Sequence, residues 1–451
     1  MKTLLAVAVQ TICALACVPA MALALVTESC AIPQQGIVLD GHLNCPYISH
    51  RGGAAYLLLS VATPDAGTAH RRPMNLSIVL DRSGSMADEG KMENAKKSLY
   101  SLIDQLNEED IVSIVIFDDV INVLCESRRA GNKNELKRMV SGIYPRGSTN
   151  LGGGMVEGFR QAECNARKDY VNRVILISDG LANQGIIDPH ELAQIARRHR
   201  AKSISLTTIG VGLDYNENLM VNLSENGGGN YYFVEKSTNL ASIVRKEYNL
   251  LSSVIAQNAS IELTLGPGVR VNDVIGCEHR TENGRYIIPV GDMYSNDRRE
   301  FTVELAIPEG TGTFTVASGV LRYESDGKSE LLPSFNTGIH YTKDVAEVEK
   351  NRNMEVQGKA DVAVSTRRVD HAMKALDNGD QETAARELNE AASTLSASPA
   401  ASMAGAGGAA IRAQSQKMES YQSILKDSVG DARKAKKSIQ YDNYQTQKGN
   451  K

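Results

Sequence analysis

Short apolar runs alternate with longer amphipathic stretches in the middle of the chain. The runs rich in β-branched and aliphatic residues cover 76–80, 111–117, 174–178, 204–209 and 231–234. The stretches with helical periodicity cover 91–106, 151–166, 190–200 and 240–251. This alternation predicts a mostly parallel sheet with helices on both faces, a doubly wound α/β domain. Residues 121–124 follow Asp119 too closely for a crossover helix, so we expect an antiparallel edge strand there.

The segments on either side of this domain have a different pattern. Residues 25–73 and 256–341 hold short strand-like runs separated by turn residues such as Gly266-Pro267-Gly268. Regular short strands with turn signals predict a β-sandwich. The simplest arrangement joins both segments in one β-domain, with the α/β domain of residues 74–255 inserted between them. A separate pair of N-terminal strands is the alternative.

The character of the chain becomes helical from Thr342 onward. Residues 342–395 predict two helices joined by a break at 377–380, which resembles a tetratricopeptide-type hairpin. One hairpin is not an array, so we expect a supporting or oligomerising pair of helices, with binding of a peptide in its groove as the alternative. Residues 396–410, rich in Ala, Gly and Ser, predict a flexible linker.

The last segment, 411–451, predicts a basic helical tail. It carries nine Lys or Arg residues against four Asp or Glu residues. One interpretation is a weak attraction to an anionic envelope surface. The other is a solvated helix with a frayed end.

The N-terminus has the pattern of an export signal. A lysine precedes an apolar run, and small residues at Ala20-Met21-Ala22 and Ala22-Leu23-Ala24 offer cleavage sites, so residues 1–24 are predicted to be a signal peptide. An uncleaved anchor helix and a lipoprotein attached at Cys17 are the alternatives. We therefore expect an exported protein, located in the periplasm, at the cell surface or outside the cell.

Cleavage of that signal leaves an odd number of cysteines in an oxidising compartment. They are Cys30, Cys45, Cys125, Cys164 and Cys277. Cys30 and Cys45 flank an expected turn at Asp40-Gly41, which favours a disulfide between them. A disulfide that closes a loop of that size would stabilise the protein by about 3 kcal/mol. Two unpaired, buried thiols are the alternative.

Composition and motifs exclude several classes of function. The formal net charge of −4 over 451 residues gives no reason to expect nucleic-acid binding. The sequence contains no H-E-x-x-H zinc motif, no nucleophile elbow and no phosphate-binding P-loop, so we expect that it is not an enzyme. The pair Asp118-Asp119 is interpreted as a polar strand end, because adjacent residues on an extended strand point to opposite faces.

Oxygen-bearing side chains follow two of the predicted strands. Asp81, Ser83 and Ser85 alternate directly after the run 76–80, and Asp179 directly follows the run 174–178. Ligands of open α/β sheets bind outside the carboxyl ends of the strands. Hard oxygen donors favour Mg²⁺, with Mn²⁺ or Ca²⁺ as alternatives. Taken alone, Asp81 would be interpreted as an aspartate that caps a turn.

These motifs resemble the von Willebrand factor type A (VWA) domain and its metal ion-dependent adhesion site, which combines D-x-S-x-S with a distant threonine and a more distant aspartate. The matching residues are Asp81, Ser83, Ser85, Thr149 and Asp179, and the loop 147–154 and the segment 176–183 are also typical of bacterial members. The resemblance covers about residues 74–255 and, more loosely, the chain to about 341.

The resemblance implies that these residues bind the metal in different ways. Ser83 and Ser85 would bind the metal directly, and Thr149 and the two aspartates would bind it directly or through water. One coordination position would remain for an acidic residue of a partner protein.

Two hypotheses for function follow. The first is an exported, metal-dependent adhesion or protein-binding protein that captures an Asp or Glu of a protein ligand. The second is a structural component of an envelope complex, such as an oligomer, in which the metal only stabilises the loops of the VWA domain.

Overall fold

The computed structural model describes residues 36–67, 71–325, 328–331, 335–427 and 432–449. The strands are β1 (Val38–Leu43), β2 (Tyr47–Ser49), β3 (Gly53–Ala62), β4 (Met74–Asp81), β5 (Ile111–Phe117), β6 (Ile121–Arg129), β7 (Val171–Ser178), β8 (Ile204–Val211), β9 (Gly228–Val234), β10 (Val254–Leu265), β11 (Arg270–Val274), β12 (Arg280–Glu282), β13 (Arg285–Tyr294), β14 (Arg298–Ile307), β15 (Thr313–Ser325), β16 (Lys328–Leu331) and β17 (Phe335–Thr342). The α-helices are α1 (Lys91–Gln105), α2 (Lys133–Ser141), α3 (Leu151–Cys164), α4 (Pro189–Arg200), α5 (Glu217–Gly227), α6 (Leu240–Ser252), α7 (Val345–Lys350), α8 (Met354–Asp377), α9 (Gln381–Ser396), α10 (Ala406–Asp427) and α11 (Ala432–Lys448).

Two sequence-based predictions fall on residues outside these ranges. They are the signal peptide of residues 1–24 and the cysteine Cys30, so the disulfide between Cys30 and Cys45 stays a prediction. Within the described ranges, Cys45 is buried and its Sγ lies 3.4 Å from Nη1 of Arg352. Among these residues, no helix has both the length and the apolarity that crossing a bilayer requires.

The central sheet has the strand order β6-β5-β4-β7-β8-β9. Only the edge strand β6 runs antiparallel to its neighbour, and the other pairs are parallel. Every residue of β4, β5, β7 and β8 is buried, as expected for a sheet covered on both faces. The predictions of a doubly wound sheet and of an antiparallel edge strand are therefore confirmed.

Helices form a layer on each face of this sheet. The core on one face joins β4 and β5 to α1, α2 and α6, and the core on the other face joins β4 and β7 to α3, α4 and α5. Helix α3 lies unusually close to the sheet, since a Cβ at Gly158 would come within 2.2 Å of Val79 and one at Gly154 within 2.6 Å of Phe117. Gly154 and Gly158 thus lie on the inner face of this helix, which the periodicity of residues 151–166 predicted.

Two further sheets form the β-domain. One has the order β1-β3-β14-β11, the other has the order β12-β13-β10-β15-β17-β2, and their buried residues form one core. Strand β3 pairs with β14 and β2 pairs with β17, so both segments of the sequence contribute to both sheets. The inserted α/β domain is confirmed, and the alternative of a separate N-terminal strand pair is wrong.

The expected turn at Asp40-Gly41 is also wrong, because both residues lie inside β1. A Cβ at Gly41 would come within 2.3 Å of the ring of Phe335. The glycine therefore makes room for an aromatic ring that packs on the strand. A ring from a residue almost three hundred positions away gives no local signal, so the glycine looked like a turn.

The C-terminal helices form one packed unit. Helices α8 and α9 make the predicted hairpin, and α10 and α11 pack against it around a core that includes Val369, Leu388, Met418 and Ile439. The predicted flexible linker at 396–410 is wrong. Ala400 is buried, α10 already begins at Ala406, and a Cβ at Gly358 would come within 2.8 Å of Gly407. Small residues here allow two helices to approach closely.

The basic tail is not a solvated helix, because α11 packs on the α/β domain. Lys437 is buried, its Nζ donates to the carbonyl oxygen of Tyr215 at 2.7 Å, and it pairs with Glu217, as does Lys436. Tyr444 is buried, and its ring contacts the ring of Tyr231. The backbone N–H of Tyr231 donates to the hydroxyl oxygen of Tyr444 at 3.1 Å. The densest basic stretch therefore binds acidic residues of the same chain.

A buried arginine joins the α/β domain to the β-domain. The side chain of Arg173 on β7 has no exposed surface, and its Nη2 lies 2.7 Å from Oδ2 of Asp292 on β13. Its Nη1 donates to Oγ1 of Thr207 at 3.0 Å and lies 3.8 Å from Oε1 of Glu247 on α6. A buried charge must be paired to be tolerated, so these contacts fix how the two domains meet.

We expect the substitution Arg173→Met to destabilise the protein by about 3–5 kcal/mol, because it leaves two carboxylates buried without their cation. Urea unfolding followed by circular dichroism measures this loss. Arg160→Met is the control, since Arg160 is exposed and pairs with Glu157 one turn away on the same helix. Equal shifts of the unfolding midpoint in both variants would contradict the role of Arg173.

Candidate metal centre

Asp81 ends β4 and is fully buried. Its Oδ1 accepts a hydrogen bond from the backbone N–H of Ser83 at 2.8 Å, and its Oδ2 accepts one from Oγ of Ser178 at 2.5 Å. Burial raises the pKa of Asp81 to about 6, although these hydrogen bonds act in the opposite direction. The carboxylate is thus held in a desolvated position where a cation would stabilise its charge.

Ser83 and Ser85 bring two hydroxyl groups to the same place. Their Oγ atoms are 3.1 Å apart, and Oγ of Ser85 donates to Oδ1 of Asp179 at 2.8 Å. The loop that carries them is fastened to its neighbour, because the N–H of Gly84 donates to the carbonyl oxygen of Gly147 at 3.1 Å. The D-x-S-x-S motif therefore curls toward Asp179 at the end of β7.

Thr149 reaches this cluster from the loop between α2 and α3. Its N–H donates to Oδ1 of Asn183 at 3.0 Å, and its carbonyl oxygen accepts from the N–H of Asn183 at 3.1 Å. A Cβ on Gly180 would lie 3.0 Å from Oγ1 of Thr149 and 3.7 Å from Oδ2 of Asp81, so both oxygens border the same small space. The structure thus gathers all five predicted residues at the carboxyl ends of β4 and β7.

The start of α3 holds the threonine loop in position. Asn150 caps this helix, because its Oδ1 accepts from the N–H of Gly153 at 2.9 Å. Ile186 of the loop after β7 packs against the same turn, since a Cβ at Gly152 would come within 2.4 Å of its carbonyl oxygen. Asparagine is a preferred N-cap residue, so the local sequence specifies where the helix begins and hence where Thr149 lies.

Lys91 is part of the cluster, and the sequence-based prediction did not include it. Its side chain is buried, and its Nζ lies 2.8 Å from Oδ2 of Asp179. Burial would lower the pKa of Lys91, but the hydrogen bond to Asp179 and its charge raise that pKa above the ordinary value. The sequence feature that could have identified Lys91 was a lysine at the first position of a helix, where a positive charge is unfavourable.

A second ion-pair group supports the rim of the site. Asp118 is fully buried at the end of β5, and its Oδ2 lies 3.0 Å from Nε of Arg82 and 2.7 Å from Nε of Arg146. Burial opposes ionisation, yet the N–H of Val120 and the two arginines hold the pKa of Asp118 below its usual range. Asp118 therefore ties the loop of the D-x-S-x-S motif to the threonine loop, while Asp119 is exposed.

The donor set consists of two carboxylates and three hydroxyl groups. In the part of the chain that the structure describes, no group of three or more His, Cys, Asp or Glu residues has the arrangement of a metal site. The candidate centre depends instead on the hydroxyl groups of Ser83, Ser85 and Thr149. Hard oxygen donors of this kind fit Mg²⁺, Mn²⁺ or Ca²⁺.

Residues 75–246 match the family model of the von Willebrand factor type A domain. This part of the chain is a VWA domain. The chain also resembles a solved structure described as von Willebrand factor type A from Catenulispora acidiphila, with a TM-score of 0.72 at 15% identity. That likeness covers 91% of this chain and 96% of the other, so the shared fold extends from the VWA domain to the β-domain and the helices.

Two curated relatives match stretches of different length in this sequence. The protein YfbK of Escherichia coli (strain K12) is 27% identical over 226 residues, which are 50% of this chain and 39% of that protein. The protein sll0103 of Synechocystis sp. is 23% identical over 353 residues, which are 75% of this chain and 82% of that protein. The chain thus spans well under two thirds of YfbK but most of sll0103.

We expect Asn150→Ala to destabilise the VWA domain by about 1 kcal/mol, because the substitution removes the N-cap of α3. Urea unfolding measures the loss, and faster hydrogen exchange at the amide of Gly153 locates it. Asn150→Asp keeps an acceptor oxygen in the same place and is the control. An unchanged exchange rate at Gly153 in the alanine variant would show that the cap does not hold this loop.

Proposed function

We propose that this chain is an exported binding protein whose VWA domain captures an acidic side chain of a partner protein through a divalent cation. The cation would be held by Asp81, Ser83, Ser85, Thr149 and Asp179. The observation that carries this proposal is the meeting of three hydroxyl groups and two carboxylates at one edge of the sheet, with the Oγ atoms of Ser83 and Ser85 3.1 Å apart.

Coordination number supports a role for a partner. Mg²⁺ requires six ligands in near-octahedral geometry and usually keeps several waters. Five side chains, some of them bound through water, leave at least one position that faces solvent. A carboxylate is the side chain best suited to that position, because it is a hard, negatively charged oxygen donor.

Exposed apolar side chains at the same edge support a protein as the partner. Val120, Tyr144, Leu181 and Ile187 are 47–60% exposed. Val120 lies between β5 and β6, Tyr144 precedes the threonine loop, and the other two lie on the loop after Asp179. They are four of the nine large apolar side chains that are exposed in the described residues. Apolar side chains around a polar centre are typical of surfaces that bind proteins.

The second candidate is a structural component in which the cation only stabilises the loops. One observation favours it: Ser85 and Lys91 already bond to Asp179, so the loops hold together through their own contacts. In that case the partner surface would lie elsewhere, on the β-domain or the C-terminal helices. Dependence of binding on the cation distinguishes the two candidates.

Titration of Mg²⁺ into the metal-stripped mature chain by calorimetry tests the cation site. We expect saturable binding that weakens by at least about tenfold in Asp81→Ala, because a buried charged ligand is lost. Asp88→Ala is the matched control, since Asp88 is an exposed aspartate a few residues further along. Mn²⁺ and Ca²⁺ titrations rank the metals. Equal Mg²⁺ binding by all three proteins would place the cation elsewhere.

Capture of partners from an envelope extract tests whether a partner protein binds through the cation. We expect the wild-type chain to retain a protein in Mg²⁺ and to release it in EDTA, and we expect Asp81→Ala to retain none. Once that protein is identified, substitution of its contacting Glu or Asp by Ala should abolish binding. Capture that is insensitive to both EDTA and Asp81→Ala would favour the structural role instead.

A further inference from the structure

We propose that Lys91 sets the charge of the metal centre, so that a bound divalent cation keeps a positive charge for the partner's carboxylate. This inference rests on the proposed function and adds a role for a residue outside the five that would hold the cation. Lys91 would neutralise Asp179 and thereby weaken cation binding, but it would strengthen the binding of the acidic side chain.

The geometry makes Lys91 a permanent part of the centre. Its Nζ lies 2.8 Å from Oδ2 of Asp179, with 5% of the lysine side chain and none of the aspartate exposed. The other oxygen of Asp179 accepts from Oγ of Ser85 at 2.8 Å. Because both groups are buried, the attraction between them is screened far less than in a surface ion pair.

Its position in the fold is unfavourable for a lysine in two respects. Lys91 is the first residue of α1, where the helix dipole disfavours a positive charge. Burial of an ammonium group is also costly unless it is paired. A residue that is unfavourable both locally and by burial is best explained by its action on the site, and here that action is directed at Asp179.

The neighbouring loop is shaped to admit the lysine. Gly212, which follows β8, has a φ of +75°, and a Cβ there would lie 3.2 Å from Cε of Lys91 and 3.4 Å from its Nζ. A side chain at this position would press on the path from α1 to Asp179. The loop then continues to Asp214, which is exposed.

The formal charge of the metal centre depends on Lys91. Asp81 and Asp179 with Lys91 leave the centre at −1, and a divalent cation brings it to +1. Without the lysine, the same centre would be neutral once the cation was bound. A neutral centre attracts a carboxylate less, whereas an empty centre of −2 attracts a cation more. Removal of the charge of Lys91 should therefore change the two affinities in opposite directions.

This opposite change separates the proposal from a purely structural role. If Lys91 only held Asp179 in place, its loss would loosen the centre and weaken both cation and carboxylate binding. If it sets the charge, cation binding improves while carboxylate binding declines. Lys91→Arg retains the positive charge and should leave both affinities near their wild-type values.

The experiment compares the full mature chain with Lys91→Met and Lys91→Arg. Lys97→Met is the control, because Lys97 is exposed on the same helix. Calorimetry measures Mg²⁺ affinity, which we expect to rise at least about tenfold in Lys91→Met alone. Acetate, used as the carboxylate probe, is titrated into the Mn²⁺-loaded proteins, and water proton relaxation reports its binding. We expect the acetate dissociation constant to rise several-fold in Lys91→Met.

Each outcome decides the matter. If Lys91→Met binds Mg²⁺ no more tightly than wild type, while Asp81→Ala still loses it, the inference on Lys91 is overturned and the proposed function stands. If no protein binds a divalent cation, both are overturned. Should Lys91→Met be unstable without metal, melting temperatures are measured against Mg²⁺ concentration. The inference requires a larger Mg²⁺-induced rise in Lys91→Met than in wild type, and an equal or smaller rise overturns it.

Discussion

Two buried carboxylates at the ends of neighbouring parallel strands, Asp81 and Asp179, place the strongest constraint on this structure. Each is removed from water, so each must find donors or a cation within the protein. Ser178, the N–H of Ser83, Ser85 and Lys91 supply the donors. The loops at this edge of the sheet are arranged around that requirement, and the result is a cluster of oxygen atoms with the chemistry of a site for a hard divalent cation.

The rest of the chain acts as a frame for this edge. Arg173 links β7, the strand that ends at Asp179, to Asp292 in the β-domain and to Glu247 on α6. Helix α11 returns from the C-terminal helices to pack against the segment after β8. These contacts involve buried charges and aromatic rings, which are more sensitive to geometry than apolar packing alone. A shift of one domain would therefore affect the strands that carry the site.

Tertiary contacts explain where sequence-based predictions failed. Gly41 looked like a turn because the ring of Phe335 that covers it is distant in sequence. The small residues of 396–410 looked like a flexible linker, although Gly407 packs against Gly358 in a close helix contact. The lysines near Lys437 looked like a solvated charged tail, because Glu217 is more than two hundred residues away. In each case the contacting residue is distant in the sequence, so the local composition gave no indication of the contact.

The sequence by itself determined the doubly wound sheet and its insertion in a β-sandwich, and it predicted the five oxygen-bearing residues of the candidate site. Strand and helix periods and a motif at strand ends are local features, and the parallel topology brings the ends of β4 and β7 to one edge. Only the tertiary structure decided that Lys91 pairs with Asp179, that Asp118 ties two loops together and that α11 packs on the VWA domain. Those roles depend on side chains that meet across long separations, and no local pattern encodes such pairings.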